Sequence, residues 1–226
     1  MKKKFAVAID GPSGAGKSTI ARAIAQKYGF VYVDTGAIYR CVGLAALRHG
    51  TNCADEAAVG ALLSSIRIEI RYDDSGIQQM FLNGEHVSDK IRTQEVSRAA
   101  SDFSARPAVR AFLLDMQRAF ARQYSVVMDG PDIGTVVLPD ADLKIFLTAS
   151  CAERARRRYD ELRARGMDVI YATILQEQEQ RDAQDSNRAV APLKMAQDAI
   201  LVDTTGKTFE QSVACVQSIV EEKLCL

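Results

Sequence analysis

Residues 5–18 of this 226-residue chain read Phe-Ala-Val-Ala-Ile-Asp-Gly-Pro-Ser-Gly-Ala-Gly-Lys-Ser. The apolar run at 5–9 is followed at once by an acid and a glycine, which is typical of a strand buried on both faces of a parallel sheet. Residues 11–18 fit Gly-x-x-x-x-Gly-Lys-Ser, and apolar positions at helical spacing then continue up to Gly29. A strand, a glycine-rich loop and a helix in this order predict a phosphate-binding loop, or P-loop.

The loop predicts where the phosphates of ATP would lie. Its glycines allow backbone N–H groups to converge on a phosphate at the positive end of the helix. We expect Lys17 to be catalytic, with its charge at the β- and γ-phosphates, and Ser18 to hold Mg²⁺ through its hydroxyl. The predicted ATP contacts of the loop are Gly11, Pro12, Ser13, Gly14, Ala15, Gly16, Lys17, Ser18 and Thr19. The alternative is a glycine-rich turn that matches the pattern by chance.

Further apolar runs predict the other core strands. They lie at 30–33, 125–128, 143–147 and 200–202. Because such runs alternate with helical patterns, we expect an α/β fold, a P-loop doubly wound parallel sheet of about five strands with helices on both faces.

Two segments have a different character from this core. Residues 66–72 alternate between apolar and polar, and Asn83-Gly84 is a turn signal, so we expect a small antiparallel β insert at about 60–90. Residues 152–187 are helical, polar and rich in arginine, which predicts a helical lid rather than a packed domain. Both would belong to a single domain of residues 1–226.

Composition excludes several classes of function. The chain has 29 Lys and Arg against 29 Asp and Glu, so its formal net charge is zero. It therefore has no net positive charge that would attract nucleic acid or an anionic membrane non-specifically. No stretch approaches the roughly 18 apolar residues of a membrane span. The five cysteines are scattered and include no Cys-x-x-Cys pair, which is typical of reduced thiols. We therefore expect a cytoplasmic protein with no nucleic-acid and no membrane partner.

Several charged residues are candidates for catalysis. Asp129 ends a predicted strand, where its carboxylate would face the phosphate site; the alternative is that it is an ordinary turn residue at a strand end. Asp132 would face the same crevice. Arg158, Arg181 and Arg188 are predicted to neutralise charge on the transferred phosphoryl group, with a solvated helix face as the alternative. A phosphate-binding loop, a small insert and an arginine-rich lid together predict a kinase for a small acceptor.

Four segments outside the loop are specific in combination. They are Asp34-Thr-Gly-Ala-Ile-Tyr-Arg40, Ile91-Arg-Thr-Gln-Glu-Val96, Asp132-Ile-Gly-Thr-Val-Val137 and Asp185-Ser-Asn-Arg-Ala-Val-Ala-Pro-Leu193. With the loop, they resemble the bacterial cytidylate kinase family over nearly the whole chain. The resemblance implies transfer of the ATP γ-phosphoryl group to CMP or dCMP with Mg²⁺, and an insert that serves as a monophosphate-binding subdomain. The alternatives are another nucleoside monophosphate kinase, or a nucleotide-binding regulator with little turnover.

The resemblance also implies roles for individual residues. Arg154 and Arg158 would cover ATP. The acceptor nucleotide would be contacted by Thr35, Arg40, Ser101, Arg110, Asp132, Asp185 and Arg188. Within that set, the cytosine would be read by Ser101, Arg110 and Asp132. We expect the chain to act as a monomer.

One position departs from the pattern of the family that the chain resembles. Where that family usually reads Asp-Gly-Arg-Asp, this chain reads Asp129-Gly130-Pro131-Asp132. An arginine that would bind the acceptor phosphate is therefore missing. We expect this change to reduce activity more than it alters the fold.

Overall fold

The computed structural model describes residues 3–188 and 190–225. Contacts between residues divide the chain into two compact units, of which one is Val33–Gln123 and the other comprises the chain before and after it. In the described residues the strands are β1 (Ala6–Asp10), β2 (Val31–Asp34), β3 (Ile68–Tyr72), β4 (Gln78–Leu82), β5 (Glu85–His86), β6 (Val126–Gly130), β7 (Leu143–Thr148) and β8 (Ile200–Asp203). The α-helices are α1 (Lys17–Tyr28), α2 (Thr35–His49), α3 (Glu56–Ser65), α4 (Gln94–Ser104), α5 (Pro107–Gln123), α6 (Cys151–Ala164), α7 (Tyr171–Ser186) and α8 (Phe209–Leu224). A 3₁₀ turn spans Lys90–Arg92, and a π-helical turn spans Ile133–Val137.

The main sheet has five strands in the order β2-β6-β1-β7-β8. β1 pairs in parallel with β6 and β7, and β7 pairs in parallel with β8. Val7 and Ile9 of β1 are fully buried because this central strand has neighbours on both edges and α1 packs against the sheet beside them. The predicted P-loop α/β fold with about five parallel strands is confirmed, and the carboxyl end of β1 leads directly into the glycine-rich loop.

The unit Val33–Gln123 contains the small antiparallel sheet β3-β4-β5. Ile68 pairs with Leu82, and the short loop Asn83-Gly84 connects β4 to β5. The sheet lies within the insert predicted at 60–90, as the alternating pattern indicated. α2 packs closely on α4, since a Cβ on Gly43 would lie 2.8 Å from the backbone nitrogen of Ala100.

Two helices occupy the range predicted as the lid. α6 and α7 pack against each other, with the rings of Tyr159 and Tyr171 edge to face at 6.1 Å and the guanidinium of Arg156 over both. The boundaries of lid and insert stay a prediction. Of the helices in residues 3–188 and 190–225, none combines the length and the apolar composition that crossing a membrane would require.

Candidate functional site

The glycine-rich loop is shaped by its contact with the sheet. Gly11 has φ of 143°, and a Cβ there would lie only 1.9 Å from the carbonyl oxygen of Leu147 on β7, so only glycine fits at this point. Further along, Lys17 Nζ donates a hydrogen bond of 2.8 Å to the carbonyl oxygen of Pro12. The loop therefore curls back on itself and places Lys17 at the first residue of α1, where helix N–H groups attract anions.

A hydroxyl and a carboxylate meet beside this loop. Ser18 Oγ donates to Asp129 Oδ2 at 2.8 Å, and Tyr32 Oη donates to Asp129 Oδ1 at 2.7 Å. Asp129 is buried near the end of β6, so these bonds fix its orientation. Oxygen atoms of this kind are the ligands that Mg²⁺ prefers, and the pair thus fits the metal predicted at Ser18. Tyr32 was not predicted, because no local pattern links it to Asp129.

Charged groups from α7 act on the loop lysine. Burial lowers the pKa of the Lys17 ammonium, and the carboxylate of Asp129 opposes that change. The guanidinium of Arg181 also lowers the pKa of Lys17, whereas the carboxylate of Asp185 raises it. The structure therefore brings together Lys17, Asp129, Arg181 and Asp185, which the sequence had indicated separately.

The carboxyl end of α7 is organised around a buried carboxylate. Asp185 forms ion pairs with Arg188, whose side chain is also buried, and with Arg181 at 3.9 Å. By contrast, Arg158 of α6 is exposed and pairs with Glu161 at 2.8 Å, so it does not join this group in the structure. A contact of Arg158 with ATP stays a prediction.

A second carboxylate lies between the loop and the turn that follows β6. Asp10 is buried, and its two oxygens accept hydrogen bonds of 2.5 and 2.7 Å from the backbone N–H groups of Ile133 and Gly134. Burial raises the pKa of Asp10 to about 7, against the two hydrogen bonds, and the nearby carboxylate of Asp132 adds to the rise. Asp132 itself is buried and follows the half-buried Pro131. Asp10 was not predicted, although an acid immediately before a phosphate-binding loop is a visible signal.

In the unit Val33–Gln123, the predicted acceptor residues Thr35 and Arg40 lie at the start of α2. Asp34 caps this helix by accepting from the N–H of Ala37 at 2.8 Å, and it also accepts from Arg40 at 3.2 Å. Gln78 of β4 accepts from the N–H of Asp34 at 2.8 Å and so fixes the capping residue. The Nε atom of Arg40 is buried without a hydrogen-bond partner, which is costly unless a ligand supplies one.

The two remaining acceptor candidates of this unit are on neighbouring helices. Arg110 of α5 is buried, donates to the carbonyl oxygen of Ser104 at 3.3 Å, and lies 5.8 Å from the ring centre of Tyr39. Ser101 is half-buried on α4, the helix that packs on α2. The unit thus carries two arginines and small hydroxyl groups on α2 and on the helices α4 and α5, residue types suited to a phosphorylated polar ligand.

The fold and the loop define an α/β protein of the P-loop class. In agreement, a solved structure of an uncharacterized protein from Eubacterium ventriosum shares the fold, with a TM-score of 0.52, 12% identity, and coverage of 97% of this chain and 99% of that one.

The particular family follows from sequence comparison. The profile of the family described as "Cytidylate kinase" matches residues 7–222, and the chain belongs to that family. It is 47% identical to a protein named "Cytidylate kinase" of Syntrophotalea carbinolica, over 99% of this chain and 94% of that one. It is 50% identical to the protein of the same name from Pseudomonas paraeruginosa, over 93% and 92% of the two chains. The predicted resemblance is confirmed, and the chain is an enzyme.

Proposed function

We propose that the chain binds ATP on residues 11–19 and transfers its γ-phosphoryl group to CMP or dCMP, with ADP and CDP or dCDP as products. The observation that carries this proposal is the geometry of the loop, which closes on Lys17 Nζ through the Pro12 carbonyl and has Ser18 hydrogen-bonded to Asp129 beside it. Membership of the cytidylate kinase family supports cytidylate as the acceptor. Neither a kinase for another nucleotide nor a regulator with little turnover is favoured by these relatives.

The reaction needs positioning and charge rather than a protein nucleophile. An oxygen of the acceptor phosphate attacks the γ-phosphorus of ATP, a new P–O bond forms, and the bond to the bridging oxygen breaks so that ADP leaves. Lys17 and Arg181 offset the charge that moves onto the bridging oxygen, and Arg188 does so near the acceptor phosphate. Arg158 would join them after leaving Glu161, which lies on the exposed side of α6.

The acceptor contacts rest on the chemistry of the residues in place. Arg40 has a buried Nε without a partner, so an anionic ligand there would satisfy a hydrogen-bond donor that the protein leaves unpaired. The acceptor residues we propose are Thr35, Arg40, Ser101, Arg110, Asp132, Asp185 and Arg188. Among them, the buried Arg110 and Asp132 have the donors and acceptors that the edge of a cytosine requires.

Ser18 and Asp129 are the residues that would hold Mg²⁺, because their oxygens lie 2.8 Å apart beside the loop. When bound, the metal would supply positive charge to the phosphate oxygens of ATP. The hydroxyl of Tyr32 keeps the Asp129 carboxylate turned towards Ser18 through the bond to Oδ1. A magnesium titration of activity would test this assignment.

We also propose that the enzyme acts in the cytoplasm, as a monomer and on free nucleotides. Its five cysteines are all free, and burial raises the pKa of the Cys41 thiol to about 12, so this thiol does not ionise near neutral pH. The zero net charge supports free nucleotides rather than nucleic acid as ligands. Light scattering in solution would test the monomer.

A panel of acceptors tests the proposed function. ADP release is measured by a coupled assay with ATP and, in turn, CMP, dCMP, UMP, AMP and GMP. We expect the highest kcat/KM with CMP or dCMP. A higher value with a purine monophosphate would contradict the acceptor assignment, and tight binding of ATP and CMP without ADP release would indicate a regulator.

A further inference from the structure

Three side chains of α6 and α7 hold the phosphate-binding loop from its outer side. We call Arg154, Gln178 and Asp182 the loop clamp. Arg154 Nη1 and Gln178 Nε2 each donate a hydrogen bond of 2.9 Å to the carbonyl oxygen of Ser13. Asp182 Oδ1 accepts from Arg154 Nη1 at 3.0 Å and from Gln178 Nε2 at 3.4 Å, and its other oxygen accepts from Arg154 Nη2. One loop carbonyl is thus bound by two donors that a single carboxylate aligns.

The clamp is a built structure rather than a chance surface contact. Arg154 is 4% exposed and Gln178 is 8% exposed. The third nitrogen of the Arg154 guanidinium, Nε, donates to the carbonyl oxygen of Ala149 at 2.9 Å. A buried guanidinium is stable only when it is paired and hydrogen-bonded, and here all three nitrogens have partners. In this arrangement Arg154 acts on the loop backbone.

The next residue of the loop shows how closely the clamp approaches. A Cβ on Gly14 would lie 3.2 Å from the Cβ of Arg154 and 3.6 Å from Oε1 of Gln178. Gly14 also has φ of 78°, in the left-handed region that favours glycine. The loop therefore has little room for a side chain at residue 14 on the side that faces the clamp.

The bound carbonyl fixes the direction of a loop N–H. The carbonyl of Ser13 and the N–H of Gly14 belong to one planar trans peptide, in which they point in opposite directions. While the clamp holds the Ser13 oxygen, the Gly14 N–H is turned away from Arg154 and Gln178. Phosphate binding by such a loop depends on the direction of its N–H groups. An unclamped peptide would be free to rotate, at a cost to ATP binding.

We propose that Gln178 and Asp182 are positioning residues for phosphoryl transfer, which with Arg154 hold the Ser13–Gly14 peptide in the orientation that binds ATP. This inference rests on the proposed function for the role of the loop. Arg181 and Asp185, which act on Lys17, belong to the same helix as the clamp. The position of α7 therefore sets both the loop backbone and the charges around its lysine.

The test uses paired substitutions on α7. Gln178→Leu removes the donor to Ser13, and Gln180→Leu makes the same change at an exposed position of the same helix. Asp182→Asn removes the charge that aligns Arg154, and Glu177→Gln is its exposed control. The Kd for ATP is measured by calorimetry with the full-length chain. The assay of ADP release gives kcat and the KM values for ATP and CMP, and unfolding in urea gives the free energy of unfolding.

We expect a selective loss of ATP affinity. Gln178→Leu should raise the Kd and KM for ATP roughly 2- to 12-fold, as the loss of one neutral hydrogen bond predicts, and Asp182→Asn by at least about tenfold. KM for CMP should change by less than about twofold, because the clamp does not contact the acceptor. The double variant should lose less than the product of the two single effects, since both act on one carbonyl.

Other results would overturn the proposal. A purely structural role would lower the unfolding free energy and leave the Kd for ATP equal to that of the control variants. If Asp182→Asn does not fold, the comparison of Gln178→Leu with Gln180→Leu decides. The activity of the unsubstituted chain distinguishes a failure of the proposed function from a failure of the clamp. If the unsubstituted chain does not phosphorylate CMP, the proposed function fails. If it does so and Gln178→Leu binds ATP like its control, only the clamp fails.

Discussion

Replacing Asp10 with asparagine tests how the buried carboxylate beside the loop contributes to stability. Asp10 is 1% exposed, and its two oxygens accept from the N–H groups of Ile133 and Gly134. It is closely enclosed, because a Cβ on Gly134 would lie 2.9 Å from Asp10 Oδ2. Burial outweighs the hydrogen bonds and raises the pKa of Asp10 to about 7.

This raised pKa makes the contribution of Asp10 to stability depend on pH. The folded carboxyl has its pKa near 7 and the unfolded one near 3.8, so the folded chain binds more protons between these values. The contribution is therefore full below about pH 4 and is lost as the pH rises through about 7. A rise of about three pKa units corresponds to roughly 4 kcal/mol in all. Between pH 5 and pH 8 the loss should be roughly 2–3 kcal/mol.

The Asp10→Asn variant supplies the reference because asparagine does not titrate. Its amide nitrogen must face one of the two backbone donors, which costs roughly 1–3 kcal/mol at every pH. Urea unfolding is followed by circular dichroism, since the chain has no tryptophan. At pH 5 the unsubstituted chain should have a higher free energy of unfolding than the Asp10→Asn variant. By pH 8 this difference should shrink or change sign. A difference that stays constant from pH 5 to pH 8 would refute the raised pKa.

The phosphate site supports further predictions on activity and mobility. Lys17→Ala should lower kcat by at least about 100-fold without unfolding the chain, with Lys223→Ala as the surface control; retention of most turnover would contradict the loop assignment. Tyr32→Phe should lower kcat roughly 2- to 12-fold in the ADP-release assay, because the strand-end carboxylate loses a hydrogen bond, and an unchanged kcat would remove Tyr32 from the site. Pro131→Arg should raise kcat/KM for CMP on the order of 10- to 100-fold, with the KM for ATP nearly constant, because an added guanidinium would bind the acceptor phosphate; no gain would mean that residue 131 does not face the acceptor. Residues 165–170, which connect α6 to α7, should gain protection from hydrogen exchange when ATP and CMP are both bound, and equal protection in the free and bound chain would argue against a lid.

Local patterns were sufficient to predict most of the fold. The apolar runs identified the parallel strands because strands buried on both faces need few polar residues. The alternation at 66–72 identified β3 because a strand with one exposed face has a polar residue at every second position. The break between α4 and α5 falls at Pro107, which begins α5, where its missing N–H costs nothing. The insert predicted from residue 60 starts inside α3, whose ten residues are mostly small and apolar and carry weak periodicity.

The residues of the site could be predicted only where a short local sequence pattern indicates their role. The loop and Lys17 follow from one motif, and Asp129 from its place at the end of a strand. Tyr32, Gln178 and Asp182 could not be found in this way, because their partners are 28–165 residues distant along the chain and only tertiary packing joins them. The sequence also could not show that two arginines of the same stretch differ in their environment. Arg154 is buried and holds the loop, whereas Arg158 is exposed.

The reaction itself can be measured by its products. ATP and CMP are mixed with the enzyme, and CDP and ADP are separated by anion exchange and quantified over time. Transfer at the loop predicts that CDP and ADP form in equal amounts, that neither forms without an acceptor, and that Lys17→Ala stops both while Lys223→Ala does not. Formation of ADP without CDP, or equal rates with Lys17→Ala, would contradict phosphoryl transfer to cytidylate at this site.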